Sequence, residues 1–230
     1  MALTVPPPQI AYIKRLLEVP DETIKGFLGA LVRAGPKFNV YDLADDVSTS
    51  VKLPAGLTLG LIRVLASLYL TKERDYGPVS TEEFVDGEVF PALKSAQTFS
   101  AEKVDLQWKK LRNFLVDGLS LERTVGTTAK AGPVLTQHER IFSGARIMTD
   151  LRPIFHLDVA QKPDAAVIIH MLRVTARDNF GRQEDRYFAL DSNDLVLLKQ
   201  IIERAMAKEK TLRGIIKDSG VTVLDPKLVF

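Results

Sequence analysis

Between Leu151 and Arg213 the sequence runs as three consecutive strand patterns followed by one long amphipathic helix pattern. The middle strand, Ala165 to Arg177, most constrains the fold. Its even positions are Ala166, Ile168, His170, Leu172, Val174 and Ala176, and its odd positions are Val167, Ile169, Met171, Arg173, Thr175 and Arg177. Successive strand residues point to opposite faces. The first half of this strand is therefore apolar on both sides and the second half on one. A single helix shields one face of a small sheet. The pattern requires a second covering layer, from elsewhere in the chain or from a partner protein.

The flanking segments complete the module. A first strand is expected over about Ala145 to Leu157, with Leu151, Phe155 and Leu157 on one face and Arg152, Ile154 and His156 on the other. Pro153 lacks an amide donor, which places this strand at an edge or at a bulge. The Asp178-Asn179-Phe180-Gly181 cluster is a turn, and the third strand covers Glu184 to Leu190. Asp191-Ser192-Asn193-Asp194 supplies a helix start with acidic groups at the positive dipole end. Leu195, Leu198, Ile202 and Ala205 form one stripe of that helix, continued by Leu212 and Ile216. Gly220 is its stop, and the apolar tail to Phe230 is expected to dock.

The first half reads as helical throughout. After Pro6-Pro7-Pro8, a stiff entry, Ile10, Ile13, Leu16 and Leu17 recur at helical spacing. A second helix carries Ile24, Phe27, Leu28 and Leu31, with Asp21 or Thr23 as its expected cap and Gly35-Pro36 as its stop. A short third helix covers Val40 to Val51. Pro54 opens a fourth, apolar nearly all round, which belongs at the centre of a bundle. Ser80-Thr81-Glu82-Glu83 matches a capping box. It starts a fifth helix, kinked or ended at Pro91. Ser100 is the expected cap of a sixth, carrying Val104, Trp108, Leu111, Phe114 and Leu115.

These patterns define an α+β chain: a helical bundle domain over 1–118, a linker over 119–144 marked by Gly126, Gly132-Pro133 and several threonines, and an antiparallel meander plus helix over 145–230. Composition narrows the function. Cysteine is absent, which removes disulfides, thiol catalysis and thiolate zinc sites. The net charge of +2 is no nucleic-acid footprint. The start of the chain has no signal-peptide pattern. Leu53 to Leu70, the most apolar stretch, contains Arg63 and two glycines and reads as a core helix. The chain is expected to be cytoplasmic, with no membrane contact.

Asp150-Leu151-Arg152-Pro153-Ile154 as first strand, Val167 to Arg177 as second, and Tyr187-Phe188-Ala189-Leu190 leading into the Leu195–Leu212 helix resemble the plan of the COMM-domain adaptor proteins. The family carries a helical N-terminal domain followed by three antiparallel strands and a helix. Its first strand usually shows tryptophan before arginine, where this chain has Leu151 before Arg152. The resemblance implies paired C-terminal modules that embrace each other and a scaffolding role without catalysis.

No catalytic pattern survives inspection. His138, His156 and His170 show no metal-ligand spacing, although His156, His170 and Asp158 lie on neighbouring segments. Gly126 to Gly132 lacks the lysine and hydroxyl that follow the second glycine of a phosphate loop. Ser143-Gly144 forms no nucleophile elbow. Asp42, Asp45 and Asp46 read as a solvated helix face or a helix-start feature, and Trp108-Lys109-Lys110-Leu111-Arg112 reads as a solvated helix face. The expected function is non-enzymatic, with no cofactor and no metal. The chain is expected to form a homodimer through Val167, Ile169, Met171, Phe155 and Leu157, while the helical domain contacts other proteins. Leu195, Leu198 and Ile202 are expected to cover the other sheet face. The alternative is a nucleic-acid-associated regulator using Arg173, Arg177, Arg182 and Arg186 around the second turn.

Overall fold

The computed structural model describes residues 3–136, 138–178 and 181–225. It is α+β, with a helical N-terminal part followed by a three-stranded antiparallel sheet and a C-terminal helix. Two compact units divide the chain, the first Met1–Val134 together with the segment from Leu224 onward, the second Leu135–Val223. The Asn179–Phe180 tip of the predicted turn and the 226–230 tail lie outside the described residues.

The first unit is built around α4 (Ala55–Thr71). Ten of its 17 residues are buried, which places it at the bundle centre as its all-round apolar pattern requires. By length and hydropathy this helix and the turn after it also pass for a membrane span, but 56% of the apolar window is buried inside the fold. Around it pack α1 (Pro7–Glu18), α3 (Val40–Ser48) and α7 (Val104–Leu119), and α2 (Asp21–Ala34) packs against α3 and α7. Close approach is achieved at glycines. A Cβ on Gly60 would sit 2.3 Å from the Tyr12 ring, and one on Gly118 would sit 2.7 Å from Leu65. Phe27, Phe84 and Phe114 fill the core, with the Phe27 and Phe114 rings 6.1 Å apart.

Several local details differ from the sequence expectation. α2 has no side-chain cap, because Pro20 holds the cap position and the Asp21 carboxylate pairs with Lys110 at 3.1 Å. α3 ends at Ser48, not Val51, and its cap is Asn39, whose Oδ1 accepts from the Tyr41 and Asp42 amides at 2.9 Å. Ser80 and Glu83 form the reciprocal capping box of α5 (Thr81–Phe84). The helix then passes through a π-helical turn, Val85–Val89, into α6 (Phe90–Ser95). Pro91 is tolerated because it falls in the first turn of α6, where its missing N–H costs little. Ser100 does not cap α7; its amide donates to Gln107 Oε1 at 2.8 Å, and the helix starts after Lys103.

The expected linker over 119–144 is largely regular structure. A π-helical turn, Glu122–Gly126, leads into α8 (Thr127–Thr136). Val125 and Ala129 are buried in the bundle core, and Thr128 accepts a hydrogen bond from the Lys37 amide at 3.0 Å. Of the glycines that suggested a linker, Gly126 has a packing role, while Gly132 faces open space. A Cβ on Gly126 would lie 2.6 Å from the Tyr69 ring.

The second unit holds β1 (Arg140–Ile154), β2 (Ala165–Asp178), β3 (Gln183–Leu190) and α9 (Ser192–Ile216). The strands form an antiparallel meander in the order β1-β2-β3. β1 begins five residues earlier than expected and carries a bulge between Phe142 and Gly144. It lies at the sheet edge, where Pro153 needs no amide donor. Asp191 and Asp194 cap α9 reciprocally. Gly220, at φ 72°, ends the single 3₁₀ turn that follows it.

Candidate functional site

Register divides the sheet into two faces. Cross-strand partners share a face, so Ile147, Leu172 and Phe188 stand together on the even face of β2, and Met148, Met171 and Ala189 on the odd face. α9 lies over the even face but does not close onto it. Between them runs an open apolar groove of about 710 Å³. Phe142, Ile147, Leu172 and Val174 line one wall, and Leu195, Leu198 and Ile202 the other. Ile202 stays 57% exposed and Phe142 69%.

This openness extends through the whole unit. Among its described residues none is buried, in contrast to the 29 apolar core residues of the bundle. α9 also carries a second apolar stripe, Leu197, Ile201 and Ile215, all exposed. Ordering a residue costs about 1–2 kcal/mol of backbone entropy, and burial of apolar surface is the main offset. A sheet and helix with no enclosed side chain lack that offset.

The predicted interface residues fall in two places. Val167, Ile169 and Met171 are on the odd face, away from the groove. Phe155 and Leu157 lie beyond the end of β1 and are exposed, Leu157 fully. Leu195, Leu198 and Ile202 face the sheet as expected but leave it uncovered. The helix was expected to seal its face of the sheet; an open space lies there instead. Two groove residues, Phe142 and Ile147, escaped the reading because Phe142 fell in the supposed linker and Ile147 in a strand whose register was unknown. The available signal was the second half of β2, where Leu172, Val174 and Ala176 alternate with Arg173, Thr175 and Arg177.

The four arginines of the predicted basic turn do not form one patch. Arg173 and Arg177 are on the odd face and Arg186 on the even face. Arg182 pairs with Asp178 at 2.7 Å, Arg186 with Glu184 at 2.6 Å and Arg173 with Asp185 at 3.8 Å. The histidines are separately engaged: His170 Nδ1 lies 2.9 Å from the Thr149 hydroxyl and His156 Nε2 3.0 Å from Asp164. No group of three metal-binding side chains occurs among the described residues.

In the bundle, the basic run on α7 is structural. Lys110 bonds the Val19 carbonyl and Asp21, and Arg112 makes two bonds to Asp86 at 2.7 and 2.8 Å. The Arg112 guanidinium holds the Asp86 carboxyl below its ordinary range. Trp108 packs on Phe90 with ring centroids 4.4 Å apart. Asp42 is buried and accepts from the Asn39 amide nitrogen at 3.0 Å.

A polar latch fastens α8 to α4. The Tyr69 hydroxyl lies 3.2 Å from both Glu73 and Glu122, and Lys130 lies 2.5 Å from Glu73 and over the Tyr69 ring. Burial raises the Tyr69 pKa, and Lys130 lowers that of Glu73.

Fold and geometry define a two-unit α+β protein whose candidate site is an apolar groove in an uncored strand–helix unit. No protein-family model matches this sequence, and no curated protein matches it either.

Proposed function

We propose that this chain is a non-enzymatic assembly protein that self-associates through its C-terminal strand–helix unit. One observation carries this reading: that unit encloses none of its described side chains and leaves an apolar groove between α9 and the sheet. A second copy of the same unit offers the complementary element, because the outer stripe of its α9 matches the groove in chemistry. Each α9 then lies between its own sheet and that of its partner. An interface that completes a core in this way resembles a domain core cut in half, the mark of obligate dimers. The pairing is the one that the resemblance to COMM-domain adaptors implies.

The bundle supplies the second role, contact with other proteins. Its groove of about 530 Å³, between the end of α1 and α7, is lined by Leu17, exposed Leu106 and Lys109.

Light scattering on the full chain during size exclusion tests the reading. A dimer at micromolar concentration is expected. Leu198→Asp and Leu172→Asp, which place a carboxylate in the groove, are expected to yield monomers. A wild-type monomer at that concentration overturns the proposal.

A further inference from the structure

The odd face of the sheet has a different chemistry from the groove. Register brings Arg146 directly opposite Arg173, with Arg152 opposite Val167 and Arg177 opposite Ile141. Like charges directly opposite one another destabilise an antiparallel pair. On this face four arginines meet only two aspartates, Asp150 and Asp185. Asp185 is already engaged by the Thr175 hydroxyl at 2.6 Å and serves Arg173 from 3.8 Å. The Arg173 Nε is shielded from solvent without an acceptor. Among the described residues Arg146, Arg152 and Arg177 make no ion pair. Arg140 and Arg186 on the even face, by contrast, both reach Glu184.

Between these arginines the face is aliphatic, with Val167, Ile169, Met171 and Met148 in register rows. The rows from Val167 to Arg177 extend about 34 Å along β2, the length of a helix of roughly 22 residues. Tyr187 is the one aromatic residue that β1, β2 and β3 place on it. A single-stranded nucleic acid needs a series of aromatic platforms for its bases, and branched and thioether side chains do not supply them. Aliphatic side chains of a protein do match such a surface, and methionine adapts its shape to them.

We propose that this odd face is a docking surface for an acidic amphipathic helix of a protein partner. Leucine-type side chains of the partner lie on the aliphatic rows, and its carboxylates supply the counter-charges that Arg146, Arg152 and Arg177 lack. The groove opens on the opposite face, so docking here leaves the groove open for self-association.

The test uses the full-length chain and a labelled amphipathic peptide of leucine and glutamate, about 22 residues long. A leucine–lysine peptide of the same pattern and a single-stranded oligonucleotide serve as comparators. Fluorescence anisotropy is expected to show binding of the leucine–glutamate peptide alone, weakening as salt rises and the Debye length shortens. Arg146 also lines the groove, so the informative variant is Arg152→Glu with Arg177→Glu. It is expected to weaken binding by about tenfold or more, as loss of two charge-assisted contacts requires. Arg186→Glu, on the even face and outside the groove, is expected to leave binding unchanged. The proposal is overturned if the acidic peptide does not bind, if the double arginine variant binds it as well as wild type, if Arg186→Glu weakens binding as much as the double variant does, or if either comparator binds more tightly.

Discussion

Phe27, Phe84 and Phe114 in the bundle are almost wholly enclosed, while Phe142, Phe155 and Phe188 in the second unit are each half exposed or more. Both regions have regular backbone and well-formed helix caps. They differ in closure. The bundle surrounds one apolar helix on all sides, so each apolar stripe finds another within the same unit. The sheet and α9 have two faces and two stripes but too few layers to enclose them. Secondary structure alone does not make a core; the count of layers does. The bundle encloses its own apolar surface, while the strand–helix unit leaves its apolar surface open, the surface that the proposed self-association would cover.

Paired truncations break this comparison most directly. Phe114→Ala is expected to cost the bundle about 3–5 kcal/mol, the range for emptying a buried aromatic site. Trp108, the only tryptophan, reports that loss as a lower melting temperature independent of protein concentration. Phe188→Ala is expected to leave the Trp108 transition in place and to weaken self-association instead. If both substitutions lower the tryptophan transition equally, the two regions are not distinct in the way described.

Leu198→Asp comes next. A charge in the groove is expected to weaken association by about a hundredfold, or roughly 2.8 kcal/mol. Sedimentation of wild type and variant across a dilution series measures it. Dilution of wild type is also expected to lower the melting of the strand signal in circular dichroism, as mass action requires of a unit stabilised by association.

Gly60→Ala sharpens the picture of the bundle. Alanine normally gains about 1 kcal/mol over glycine inside a helix. Here its Cβ would meet the Tyr12 ring at 2.3 Å, so the substitution is expected to destabilise by about 1–3 kcal/mol. Pairing it with Tyr12→Ala is expected to remove the clash, and thermal denaturation of both variants gives the sign. Ser80→Ala removes one arm of the α5 capping box and is expected to cost about 1 kcal/mol.

The smallest effect is the acid response of the latch. Lys130 holds the Glu73 carboxyl below its ordinary range in the folded bundle. The contact therefore stabilises above the unfolded carboxyl pKa, and that stability is lost as pH falls through the lowered folded value. Lys130→Met is expected to be less stable than wild type at neutral pH and to converge with it on acidification. The contact is partly exposed, so the difference stays small. Urea titrations at several pH values follow it.

Much of this was legible in the chain. The order strand, strand, strand, helix follows from alternation and turn residues. The Ser80 and Asp191 caps follow from side chains that satisfy helix-end amides locally. The central place of α4 follows from a helix with no polar face. Each of these rests on interactions within a few residues, or on a periodicity that one element carries by itself.

Tertiary structure decided the rest. Gly126 and Gly132 read as linker residues because their local freedom suggests turns, yet the approach of the Tyr69 ring is what Gly126 accommodates. The Phe142–Gly144 bulge and the strand register determine which side chains share a face, and neither is written in one strand alone. The separation of the odd-face arginines from Arg186 follows from that register. The open groove depends on where α9 comes to rest over the sheet, a long-range outcome that no window of sequence contains.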